Sequence, residues 1–192
     1  MRIARAAILA VAIAAGASAA LAEPAFDTFR DLCLNTHAEA PAALAAADRA
    51  GWTDMPAMFQ DEIAKQGFGG GAGRAKMVNR ALMLMYAGQG APMIDGAAVP
   101  VRVCALRLRA ADSAAVRKAA ADWAAVPADP ALPADKGEAY AFLDAGGVHH
   151  ALPAADLKTP RGQDLIRQGR VAMLFVAGQP AAPLIIYAIP TL

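Results

Sequence analysis

The chain has 192 residues, with 18 Lys and Arg against 17 Asp and Glu, a formal net charge of +1 and 18% charged residues. A balance this close to neutral offers no basic stripe to neutralise phosphates, which argues against a nucleic-acid partner. The length suits one domain with its own core, and the mean hydropathy of +0.35 comes from an apolar leader and abundant alanine rather than from membrane spans.

Arg2 and Arg5 precede an uncharged run from Ala6 to Ala20, and Ala20-Leu21-Ala22 offers an A-x-A cleavage site before Glu23. This is the layout of a secretory signal peptide. The expected organisation is a leader over 1–22 and a single α+β domain over 23–192, exported to the periplasm of a Gram-negative host, with no membrane contact after cleavage. The residue immediately after the cleavage point is Glu23 and not a cysteine, which argues against the lipoprotein route. Two cysteines remain, Cys33 and Cys104. Only one intramolecular pairing exists, and an oxidising compartment favours it over free thiols.

In chain order, Phe26, Phe29, Leu32, Cys33 and Thr36 recur at three- and four-residue steps, the stripe of an amphipathic helix. Pro41 suits the first turn of a second helix. Gly51 suits the left-handed position after that helix, and Trp52 the apolar contact that follows it. Residues 56–66 suggest a short third helix. Gly67–Lys76, GFGGGAGRAK, reads as an exposed flexible loop. Ala81–Tyr86, Val171–Val176 and Leu184–Ile189 are apolar at every position, the pattern of strands covered on both faces. Val101–Arg109 carries charge and reads as a strand near an edge, with Cys104, Leu106 and Leu108 on one face and Arg107 and Arg109 on the other. Cys104 then looks toward the helical layer that carries Cys33.

Asp112 or Ser113 caps a further helix with Val116, Ala119, Ala120, Trp123 and Val126 as its stripe. Pro127–Asp135 is a connector. Glu138–Leu143 and Val148–Leu152 form a hairpin across Asp144–Gly147, and Thr159 before Pro160 opens another helix. The expected class is α+β, with a largely antiparallel sheet of about five to six strands, layered helices and one disulfide. One internal echo stands out: Met83–Pro92, MLMYAGQGAP, against Met173–Pro183, MLFVAGQPAAP.

Cys33 and His37 are four residues apart and share a helix face; with Cys104 and His149 or His150 they make a candidate zinc set or thiolate–imidazole pair. A disulfide removes both sulfurs from that chemistry and leaves His37 an ordinary helix-end residue. His149 and His150 are adjacent on a strand, so one site can use only one of them. Either one, with Asp144 or Asp156, is a candidate acid–base pair; an exposed turn residue is the plainer reading. Gly67–Ala72 fits G-x-G-x-x-A, but no strand precedes it and no long helix follows. Met55 with Met58, and Met83 with Met85, offer thioethers for Cu(I) or, more simply, core filler. Arg102, Arg107, Arg109, Arg117 and Lys118 suggest a basic face for an anionic ligand or acidic partner. No G-x-S-x-G, H-E-x-x-H or C-x-x-C occurs, and no metal or other cofactor is expected.

Phe29–Cys33, the alanine run, Ala50-Gly51-Trp52 and Val103-Cys104-Ala105-Leu106 together resemble a family of small uncharacterised exported bacterial proteins. The resemblance covers about the first half of the mature chain. It implies paired cysteines and a compact α+β domain, with no assigned activity or active site. The function expected is therefore a periplasmic binding or interaction domain for a protein or small molecule, acting through a sheet face or the segment Gly67–Gly73. The alternative is a small hydrolase-like enzyme built on a histidine and a nearby carboxylate.

Overall fold

The computed structural model describes residues 25–65, 68–78, 81–91, 93–94, 97–109, 112–132, 137–179 and 181–191. The expected signal peptide lies outside the described residues. Helix α1 runs from residue 25 and closes in a π-helical turn, Arg30–Leu34. After it come α2 (Ala40–Arg49), β1 (Thr53–Asp54), α3 (Ala57–Lys65), β2 (Gly70–Val78), β3 (Ala81–Gly90), β4 (Met93–Ile94), β5 (Ala97–Ala98) and β6 (Val101–Leu108). The second half has α4 (Ser113–Ala124), β7 (Glu138–Ala145), β8 (Val148–Ala151), α5 (Ala154–Leu157), α6 (Pro160–Arg167), β9 (Val171–Gln179) and β10 (Ala182–Pro190).

Eight strands form one antiparallel sheet in the order β1-β2-β3-β6-β10-β9-β7-β8, and β4 pairs with β5 alone. The expected five to six strands undercount it. The missing ones are β1, only two residues long, and β2, which carries the glycine run. Gly70–Val78 is thus a paired strand, not a loop. Val101–Leu108 is also not near an edge: β6 lies between β3 and β10, its charges confined to side chains that escape the packed layers. The edges are the short strands β1 and β8, which limits unpaired backbone.

Each half contributes a helix followed by three long strands, and read outward from the centre β6-β3-β2 mirrors β10-β9-β7. The sequence echo does not map onto this symmetry. Met83, Met85 and Ala87 face the helices, whereas the helix-facing residues of β9 are Ala172, Leu174 and Val176. Aligning MLMYAGQ with MLFVAGQ therefore matches opposite sheet faces, the consequence of a one-residue offset at period two.

Helices α1, α2 and α4 cover one face. The cross-strand row Met85–Leu106–Ile185–Val176 is fully buried beneath them, as are Phe29, Cys33, Val116 and Ala120. Cys33 and Cys104 are disulfide-bonded within this layer, with Cα atoms 5.3 Å apart across 71 positions of sequence. Cys104 does face the helix that carries Cys33.

The helix ends follow local chemistry. Asp112 caps α4, its carboxylate accepting from Ala114 N–H, and the Thr159 hydroxyl accepts from Gly162 N–H at the start of α6. At the end of α2, Gly51 (φ +76°) donates to Asp48 O and the buried Trp52 donates to Ala47 O, a Schellman ending. Helix α1 ends the same way, with His37 donating to Leu34 O and Ala38 to Cys33 O, but His37 (φ +50°) occupies the glycine position. Ala125 (φ +52°) does so after α4. Both side chains are exposed, so glycine relieves backbone strain there without losing packing. His37→Gly and Ala125→Gly are each expected to raise stability by about 0.5–1 kcal/mol, read as a higher urea midpoint at unchanged slope.

Candidate functional site

The sheet face away from α1, α2 and α4 is only partly covered. The paired row Gly73–Tyr86–Ala105–Ile186–Phe175–Ala139 runs across its middle. On the β2–β3 side it is roofed by α3, whose Phe59 and Ile63 pack with Met55, Ala75 and Leu84. On the β7–β9 side Leu132 and Leu157 cover Ala139, Ala141 and Met173. On the central strands Ile63 and Phe68 pack over Val101 and Val103 of β6, while Ala105 of β6 and Leu184 and Ile186 of β10 are left half-buried.

What remains is a shallow open groove, about 640 Å³ of free space when its open mouth and the solvent in it are counted. Its floor is Leu84 and Tyr86 of β3, Val103, Ala105 and Arg107 of β6, and Leu184 and Ile186 of β10. Its wall is Met55, Phe59, Glu62, Ile63 and Phe68. Ala105 makes the hollow, being the smallest side chain between Tyr86 and Ile186. Apolar residues at every position of Leu184–Ile189 predict cover on both faces. One face instead carries the half-buried Leu184 and Ile186 at the groove.

The glycines shape the end of this groove. Gly71 and Gly88 face each other across β2 and β3, and the Tyr86 ring lies over both; a Cβ at either position would stand 2.6 Å from the Tyr86 hydroxyl. That hydroxyl donates to Phe68 O at 2.5 Å, and so holds the segment after α3 against the sheet. Gly73 lies under the Met55 side chain, whose Cε would be 2.6 Å from a Cβ there. The glycine run therefore serves close packing of larger side chains rather than flexibility.

Three polar side chains line the groove: Glu62, Tyr86 and Arg107. The Tyr86 hydroxyl is engaged by Phe68. Among the described residues neither Glu62 nor Arg107 is in an ion pair. The other expected members of a basic face are dispersed: Arg102 is on the helix side and paired with Glu39, and Lys118 bonds Asp122 on α4. Arg117 is also on α4, and Arg109 is exposed just past the end of β6, two residues beyond Arg107, so the five do not lie on one surface.

The candidate histidines lie elsewhere. His149 pairs with Asp144 in register, His150 with Leu143, so the two imidazoles leave opposite faces as strand geometry requires. His149 is on the helix side, with Phe142 and Trp123 ring centroids at 4.3 and 4.5 Å, and its Nδ1 meets Ala124 O at 2.9 Å at the end of α4. Asp144 accepts from Gly147 N–H at 2.8 Å within the hairpin turn. Each side chain is thus engaged locally, on the face opposite the groove. His37 is exposed in its turn and His150 is exposed on β8. With both sulfurs in a disulfide, Cys33 and Cys104 cannot ligate metal or attack a substrate, and among the described residues no group of three His, Cys, Asp or Glu side chains is placed to hold a metal ion. Met83 and Met85 do share a face, and both are buried in the core; Met55 is buried while Met58 is exposed on α3.

Burial raises the pKa of every tyrosine in the chain. Tyr86 is raised by desolvation, Tyr187 is pushed up to about 12 by desolvation with Asp144 adding to it, and Tyr140 is raised by desolvation and by its bond to Glu138. A raised folded pKa contributes stability that is complete below the unfolded value near 10 and is lost as pH climbs toward the folded value. Tyrosinate absorbance of the native protein is therefore expected to stay flat through about pH 10. It should rise together with loss of near-ultraviolet circular dichroism; an ordinary phenol titration in the intact fold would contradict this packing.

Among the described residues no helix is long and apolar enough to cross a membrane. No protein-family model, curated protein or solved structure matches the chain.

Proposed function

We propose that this is an exported periplasmic binding domain that takes a small apolar molecule into the groove between α3 and the α5 side of the sheet. The observation that carries the reading is the incompletely covered central floor: Ala105, Leu184 and Ile186 are left half-buried at the middle of a sheet that is covered on either side. Apolar area left open at a concave, rigid site gains free energy when a ligand covers it. The disulfide fits an oxidising compartment, and the signal-like leader supplies the route. Specificity rests with Glu62 and Arg107, the charged side chains the groove presents.

The test uses the purified mature protein and a neutral naphthylamine probe whose emission rises in apolar surroundings. Saturable binding is expected, and Ala105→Phe, which fills the hollow, is expected to weaken it at least tenfold while the thermal midpoint stays close to that of the parent. Binding that Ala105→Phe leaves unchanged, or no binding by the folded parent, overturns the reading. Fractionation of a Gram-negative host tests the address separately: product retained in the cytoplasm with its leader intact would refute export.

A further inference from the structure

The geometry points to a single-chain amphiphile with a carboxylate head as the ligand of this groove, the head on Arg107 and the tail over Ala105, Leu184 and Ile186. This rests on the groove reading above and adds the chemistry of the ligand. Arg107 stands in the floor itself, paired in register with Leu84 on one side and Leu184 on the other. Its backbone is fixed by two neighbouring strands, and its exposed side chain leaves the sheet from the floor of an otherwise apolar groove. An unpaired guanidinium at the end of an apolar track suits a planar carboxylate, which it meets with two parallel hydrogen bonds.

Val103, at the far end of this face of β6, is already buried beneath Ile63 and Phe68, so the open apolar floor beside Arg107 is Ala105 with Leu184 and Ile186, room for the first part of an alkyl chain. Nothing else along that track competes for a head group. The Tyr86 hydroxyl is held by Phe68 O, and the β6 backbone is paired to β3 and β10. Glu62 is the one opposing charge. It lies on the wall helix rather than in the floor; both it and Arg107 are exposed, so their position relative to the apolar floor, not their burial, distinguishes them. The rival it permits is an alkylammonium headed for Glu62.

Calorimetric titration with decanoate, decanol and decylamine, below their aggregation concentrations, separates these cases. Decanoate is expected to bind at least tenfold more tightly than decanol. Arg107→Gln should weaken decanoate by about tenfold to a hundredfold, the effect of losing a charge-assisted pair, while decanol affinity stays within twofold. Glu62→Gln should leave decanoate unchanged or slightly tighter. If decanol matches decanoate, or decylamine binds most tightly and responds to Glu62→Gln, the head-group assignment falls while the groove stands. If none of the three binds a protein that retains native circular dichroism, the groove reading itself falls, and this inference with it.

Discussion

Replacing both Cys33 and Cys104 by alanine is expected to lower stability by about 4 kcal/mol, because the cross-link closes a loop of 71 positions whose entropy the unfolded chain would otherwise recover. In a chain of this size that corresponds to a thermal midpoint lower by roughly 10 °C. The fold itself should persist, since Phe26, Phe29 and Leu32 keep α1 on the sheet by packing alone. The denaturant slope carries the diagnostic. An uncross-linked denatured state is more expanded, so the slope should increase while the midpoint falls. A midpoint lowered with no change in slope would mean that the loss lies in packing around the deleted sulfurs. An unchanged midpoint would sink the account. Both sulfurs are fully buried, so reduction of the native protein is expected to proceed only through opening of the α1 layer, at a rate that rises with denaturant.

That layer was the part most open to sequence reasoning, because its signals are local. The spacing of Phe26, Phe29, Leu32 and Cys33 marks a helix face, Pro41 and Gly51 punctuate α2, and alternation on β6 places Cys104 beside Leu106 and Leu108. The π-helical turn at Arg30–Leu34 left no comparable mark. The centrality of β6 was hidden for a physical reason: arginines at a strand's end suggest exposure, yet Arg107 leaves the sheet through a groove and Arg102 is held by Glu39. The groove has no local sequence signature because it is a property of three strands at once. It needs Ala105 between Tyr86 and Ile186, residues far apart in sequence, and continuous apolar runs say how apolar a face is without saying what covers it. Likewise His149 and Asp144 are adjacent in register as a hairpin predicts, while their bonds to Ala124 and Gly147 depend on where α4 ends and how the turn closes.

The glycines of β2 and β3 invite the second strong test, since glycine in a strand usually signals weakness and here signals contact. Gly71 and Gly88 do not adopt positive φ; what they provide is space. A Cβ on Gly71 would lie 2.3 Å from Ala87 O and 2.5 Å from Gly88 Cα, and one on Gly88 would lie 2.5 Å from Gly71 Cα. These are backbone atoms in a paired ladder, so relief requires parting β2 from β3. Gly71→Ala and Gly88→Ala are each expected to cost about 2–3 kcal/mol, the upper part of the overpacking range. Each should also displace Tyr86 and cut probe binding in the groove. Gly69→Ala is the control: nothing lies within 4 Å of a Cβ there, so it should be neutral to slightly stabilising. Trimming Tyr86 to leucine in a Gly88→Ala background should recover little, because the backbone clash persists whatever side chain lies above it. If Gly71→Ala proves as benign as Gly69→Ala, the strands do not approach as closely as this packing requires, and the Tyr86 end of the groove loses its physical basis.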